Sequence, residues 1–335
     1  MRRLLSTKPL AVLGLILFLI VVPFLIEDYY ILGIFILIFF NVILAATFRQ
    51  VMNIGYMNIA HISFLGFGAY TSGLLSLKLG LNFWLCLPAA GLVTGLMALG
   101  IGYVTLRIKG FYFVMMTVAL VESVRMAIVN SPYEWAGGAR GLANIPEPDP
   151  IIIPGLFTIE IFSRASFYYL VLVAMVIFLA ALYSLEKSRF GMTCKAICQD
   201  DQLAEHLGIN TMKYKVITFV FALTIVGLTG SLYGHYYSII SPPELGFMGS
   251  CWSIIYNVIG GWGSIAGSII GASLITALTE GLRPLKQYLP IPFGLILVFM
   301  LLFMPDGIIS VPGRISRWAL LRRREPSTSE NPAEE

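Results

Sequence analysis

Few side chains in this sequence could carry a reaction, and those that could are dispersed. The three histidines, His61, His206 and His235, fall in different segments, and no GxxxxGK[ST], HExxH or GxSxG pattern occurs. The chain does not read as an ATPase, a zinc protease or a serine hydrolase. Cys194 and Cys198 stand four apart, but His206 is the one further ligand near them, so no metal site is expected. What remains is a set of polar groups set in apolar stretches. Glu122 and Arg125, at i and i+3, share a helix face, and either charge alone would cost at least ~2.5 kcal/mol at a bilayer centre. They read as a mutually neutralising pair or as contacts on a path. Asn41, His61 and Glu280 pose the same choice, lining a path or bonding neighbouring helices.

The elements that must position these groups are membrane helices. Hydrophobic residues make up 58% of the 335 and charged ones 12%, far from the roughly one-quarter charged content of soluble domains. Apolar runs long enough for a crossing of ~20 residues recur along the chain, so the expected fold is an all-α polytopic membrane helix bundle. The start has a basic region and an apolar run like a signal peptide, but no small-x-small site follows, and it reads as an uncleaved first span over 9–26. Further spans are expected at 30–48, 59–77, 83–105, 111–130, 166–184, 216–237, 264–281 and 291–304. A short apolar run at 250–260 reads as a half-helix or re-entrant element. The count is about ten, between nine and eleven. Residues 1–312 form the membrane domain and 313–335 a basic, then acidic, disordered tail.

Short-loop Lys and Arg set the orientation. With both termini cytoplasmic, Arg2, Arg3, Lys8, Arg49, Arg107, Lys109, Lys187, Arg189, Lys195, Lys213, Lys215 and the arginines of 314–324 lie inside. Lys78, Arg140, Arg164, Arg283 and Lys286 lie outside, as does the Pro- and Gly-rich loop 131–163. Nucleic-acid binding is a poor reading of this charge. Gly66 and Gly68, and then Gly263, Gly267 and Gly271 four apart on one helix face, signal close helix packing. A six-residue echo, Gly55-Tyr-Met-Asn-Ile-Ala60 against Gly261-Trp-Gly-Ser-Ile-Ala266, is short enough to be chance in so Gly- and Ile-rich a chain.

The one long charged segment enclosed by apolar runs is 186–215. Its middle reads as one short helix: Asp200 and Asp201 suit a helix start, Leu203, Ala204 and Leu207 recur at helical spacing, and Gly208 supplies a left-handed stop. A knob that small cannot do chemistry, but it can dock into a groove on another protein. The alternative is a plain cytoplasmic linker.

Several stretches together resemble one family, the LivM-type permease subunits of branched-chain amino acid ABC importers. They are Gly66-Phe-Gly-Ala-Tyr70, Leu106-Arg-Ile-Lys-Gly110 with Tyr112, Glu122 with Arg125, and Gly137-Gly138 with Gly141-Leu142. Ala204 with Leu207-Gly-Ile-Asn210, Gly227 with Gly230, and Ile259-Gly-Gly-Trp-Gly-Ser264 with Gly267 and Gly271 complete the set, over about 40–305. Two positions depart from the family pattern, Ala60-His61 and Ala136, and both bear on the substrate. The resemblance implies a multi-pass plasma (inner) membrane permease that is not itself an enzyme and binds no cofactor. It implies a LivH-like second permease, two ABC ATPase subunits that hold ATP and Mg, and an external substrate-binding protein. It also implies that Asp201, Ala204, Glu205, Leu207 and Gly208 form the helix that docks on the ATPase. Related permeases carry urea, short amides or sugars, so the substrate stays open. A secondary transporter or channel would need its own ion-coupling residues, for which Glu280 alone is thin support.

Overall fold

A computed structural model describes residues 28–153, 157–159 and 163–283, together with 14, 17–25, 294, 295, 298 and 307–310. Residues 17–25 of the first expected span are helical; most of the last span, and the tail, lie outside the described residues. The remaining expected spans are all present as helices: α1 Tyr29–Met52, α2 His61–Leu79, α3 Phe83–Thr105, α4 Phe111–Val129 and α5 Arg164–Lys187. After α5 come α6 Arg189–Gln199, α7 Asp201–His206, α8 Thr211–Tyr237, α9 Phe247–Gly260 and α10 Ile265–Gly281. Polar residues between the apolar runs set the starts. Asp28, Asn82, Ser163, Asn210 and Ser264 each accept a backbone N–H from the first turn of α1, α3, α5, α8 and α10, satisfying donors that lipid could not.

Among the described residues, α1, α3, α4, α5 and α8 are each long and apolar enough to cross a membrane. Helix α2, expected as a span, misses that mark because Ser, Gly, Tyr and Lys78 dilute its apolar residues, yet it packs in the middle of the bundle. The short run expected at 250–260 is α9, and it meets α10 at a bend of 114°. By length and composition the described residues therefore hold five helices able to cross, or six if the bent pair counts as one span.

Two packed groups make up the interior. Ile36, Phe39 and Tyr168 join α1 to α5 and, with Ile275, to α10. Phe64, Leu65, Leu223 and Val226 join α2 to α8. Close approach, rather than bulk, holds the second group, since lipid offers no hydrophobic drive between helices. A Cβ at Gly68 would run into the backbone of Gly227, and one at Gly230 into the carbonyl of Leu65. Gly66 sits against the Leu245 side chain. The four-spaced glycine row needs a correction. Gly267 and Gly271 lie on α10 and touch the backbone of α9 at Gly260 and Tyr256, but Gly263 is in the turn before α10, with no described residue within 4 Å of where its Cβ would stand. The α9 arm ends at Gly260, so Gly260 takes the packing place that the spacing assigned to Gly263.

The loop after α4 is pinned to the end of α8. Strands β1, Leu142–Ala143, and β4, Ile239–Ile240, pair antiparallel, and a second hairpin joins β2, Ile151–Ile153, to β3, Phe157–Ile159. His235 bridges Ser72 of α2 and the Pro146 carbonyl of the loop, at 2.9 and 2.7 Å. This end of the bundle is called upper below, and the end carrying α6 and α7 lower.

Candidate coupling site

The segment between α5 and α8 folds as two helices, where one was expected. Ser188 accepts from Gly191 N and starts α6, whose Gly191, Cys194 and Ile197 turn inward while its other face stays exposed. Phe190 stacks on Tyr214 with ring centroids 4.8 Å apart, and Cys194 Sγ lies 3.2 Å from Thr218 Oγ1, fixing α6 along α8. Asp200 then accepts from Leu203 N to start α7. Gly208, at φ +82°, ends it: its N–H reaches Glu205 O while Ile209 N reaches Ala204 O. Glu205 also accepts from Thr211 Oγ1 at 2.7 Å.

Ala204 was expected on the docking face, but it is 4% exposed and faces this chain. Leu203 and Leu207, at i and i+4, are 57% and 73% exposed. They form an exposed apolar pair on a charged segment outside the long apolar helices.

Two ionic clusters tie this platform to the bundle. Asp201 Oδ2 holds Lys109 Nζ at 2.6 Å and Lys215 Nζ at 2.7 Å, joining α7 to the α3–α4 loop and to α8. Burial alone would raise the Asp201 carboxyl, but the two ammonium groups bonded to it hold it below the usual carboxylate range. Lys215 also lies over the Tyr56 ring, and Tyr56 donates to Leu106 O at 2.8 Å, so the ends of α1 and α3 are reached as well.

The second cluster is more deeply buried. The Arg49 guanidinium donates to both oxygens of Glu186, each at 2.9 Å, and through Nε to Trp262 O at 2.9 Å. Lys195 of α6 adds a bond of 2.7 Å to Glu186. Four elements, α1, α5, α6 and the α9–α10 turn, therefore meet on one guanidinium and one carboxylate. Neither Arg49 nor Glu186 was a candidate from the sequence, where each reads as a loop charge. The short echo of Gly55 in Gly261 marks the two lower-end turns, and both glycines have positive φ.

The other sequence candidates each have a partner. Arg125 Nε donates to Glu122 Oε2 at 2.7 Å, and Glu122 Oε1 accepts from Phe247 N at 3.1 Å, at the first residue of α9. That explains a carboxylate in a membrane helix: at a partly exposed position it meets the first N–H and the positive dipole end of α9. Glu122→Gln, which removes the charge, is expected to cut the yield of folded protein several-fold in fluorescence-detected size exclusion. Parental yield with lost transport would instead assign the pair to a path. Asn41 Nδ2 donates to Thr276 Oγ1 at 2.9 Å, joining α1 to α10. His61 Nε2 lies 3.0 Å from Thr47 Oγ1, joining α2 to α1. Glu280 accepts from Tyr30 and Arg283 at the upper end. No cluster of three or more metal-ligating side chains occurs among the described residues.

The whole platform, from Arg49 to Trp262, falls inside a single family match. Residues 30–305 match the family described as branched-chain amino acid transport system, permease component. The chain belongs to that family. Among curated relatives of this permease-family chain, the high-affinity branched-chain amino acid transport system permease protein LivM of Salmonella typhimurium is 29% identical over 279 residues, 76% of this chain. The LivH permease of Escherichia coli is 29% identical over 275 residues, 77% of this chain and 87% of its own length. BraD of Pseudomonas aeruginosa is 31% identical over 175 residues, 49% of this chain and 55% of its own. The chain spans 64% of the length of the LivM relatives it matches. No solved structure matches it.

Proposed function

We propose that this chain is a non-catalytic permease subunit of an ABC importer for branched-chain amino acids, in the plasma (inner) membrane, and that α7 couples it to a separate ATPase. The observation that carries the coupling role is the exposed Leu203–Leu207 pair on a helix fixed through Asp201 to both Lys109 and Lys215. An apolar pair held rigidly on a polar surface fits a groove in a partner, and closure of that partner would pull on α8 and the α3–α4 loop together. Through Lys195 and Glu186 the same motion reaches α1 and the α9–α10 turn. ATP and Mg belong to the two ATPase chains. LivM and LivH are both permease proteins and both similar to this chain, which supports a LivH-like second permease as its membrane partner. An external binding protein delivers substrate. The basic residues of the lower end support a cytoplasmic α6–α7 platform; the same reading takes about ten spans with both termini inside, residues 1–312 as the permease domain and 313–335 as its tail.

The test uses the complete importer in proteoliposomes. Leu203→Asp with Leu207→Asp should remove an apolar anchor worth at least ~2 kcal/mol, roughly 30-fold in ATPase affinity, and leucine uptake driven by ATP should fall to background. Parental uptake by the double variant, with the ATPase still bound, would return this segment to being a linker. In intact cells the exposed Cys198 should resist an impermeant maleimide until lysis; prompt labelling would invert the orientation.

A further inference from the structure

At the upper end, the starts of α1 and α5 and the ends of α8 and α10 line a half-open cavity of about 460 Å³, within the range of small-ligand sites. Among the described residues four charged ones line it, Arg164 and Arg283 with Glu147 and Glu280. Glu280 is the sheltered one, 18% exposed against 64% for Arg283. It takes both Tyr30 Oη, at 3.2 Å, and Arg283 Nη1, at 3.3 Å, on one oxygen, Oε2. Both bonds are long for their type, so a well-placed ammonium could displace them. Arg164 gives Nη1 to the Tyr29 carbonyl at 3.2 Å, and a guanidinium has five donors in all. Deeper along the same helices the wall turns apolar, at Ile34, Leu37 and Phe167.

A lone anion here would meet two carboxylates, and a lone cation two guanidinium groups. We propose that this cavity binds a zwitterion, with its ammonium at Glu280 and Glu147, its anionic group at Arg164 and Arg283, and an apolar portion against the inner wall. Two sources offer that chemistry: a free branched-chain α-amino acid, and the headgroup of an ethanolamine phospholipid. The amino-acid form rests on the function proposed above and adds a site within this one chain; the lipid form is independent of it.

The full chain is placed in nanodiscs of phosphatidylglycerol, which carries no ammonium. Radiolabelled leucine is one probe, and phosphatidylethanolamine, followed by native mass spectrometry, is the other. At least one should bind the parental chain, and Arg164→Gln and Glu280→Gln should each weaken it about tenfold or more, the loss of a charge-assisted hydrogen bond. Leucine binding identifies a free amino acid, and ethanolamine-lipid binding a headgroup. With the parental chain, and so without dependence on a variant's folding, leucine methyl ester and 4-methylpentanoate should fail to displace leucine. For the lipid, phosphatidic acid, which lacks the ammonium, should fail to displace it. Binding of neither probe overturns the proposal, as does parental affinity in both variants or displacement by a single-charge analogue. Leucine uptake by the parental importer without binding of either probe would sink this site alone; absence of uptake, with the ethanolamine lipid bound, would sink only the function proposed above.

Discussion

Glu186→Ala is expected to lower the unfolding midpoint of the detergent-solubilised chain by roughly 6–20 °C. Arg49 is 1% exposed, and the substitution leaves its guanidinium with the Trp262 carbonyl as its remaining bond to the cluster. Breaking a buried ion pair from one side costs about 3–5 kcal/mol, and each kcal/mol moves a midpoint by about 2–4 °C in a domain of this class. The loss comes from the stranded charge rather than from the worth of the pair. Replacing both partners, Arg49→Met with Glu186→Leu, should therefore recover most of the stability. Lys195→Ala should do little, since that side chain is 46% exposed and water screens its charge. A midpoint unchanged in Glu186→Ala would show that the cluster does not hold the lower end together.

The second large effect is expected at Gly68. A Cβ there would meet the backbone of Gly227, and a backbone has no rotamer by which to yield. Gly68→Val must push α2 away from α8, breaking the contacts of Phe64 and Leu65 with Leu223 and Val226. Overpacking a side-chain core costs about 1–3 kcal/mol; separating two backbones should exceed that, and the expected result is almost no monodisperse protein. Gly263→Ala is the control, because no described residue comes within 4 Å of a Cβ at that position. Equal yields from Gly68→Val and the parental chain would mean that the α2–α8 contact is not close.

The spans were legible because lipid solvation demands long apolar runs, and Asn82 and Thr105 bound α3 where the hydropathy changes. Helix α6 was not, because half of it is polar and Gly191 and Thr193 look like loop residues. Its buried face appears only once Cys194 is seen against Thr218 of α8. The inward turn of Ala204 was also hidden, since six residues of helix do not define a face. Gly263 was misread for the opposite reason: the four-residue period was real, but it ran across a break after Gly260. The Arg49–Glu186 pair joins residues 137 apart, and nothing local in either segment announces the other.

The bond from Phe247 N to Glu122 has a consequence for biogenesis, because the two residues are 125 apart in sequence. At ~5–20 residues per second, Glu122 is synthesised some ~6–25 s before Phe247. The carboxylate that receives the first turn of α9 therefore reaches the membrane, already neutralised by Arg125, before that turn exists. A chain permuted so that α9 was made before α4 would have to hold those N–H groups unpaired in lipid while it waited, and translation order spares the natural chain that intermediate.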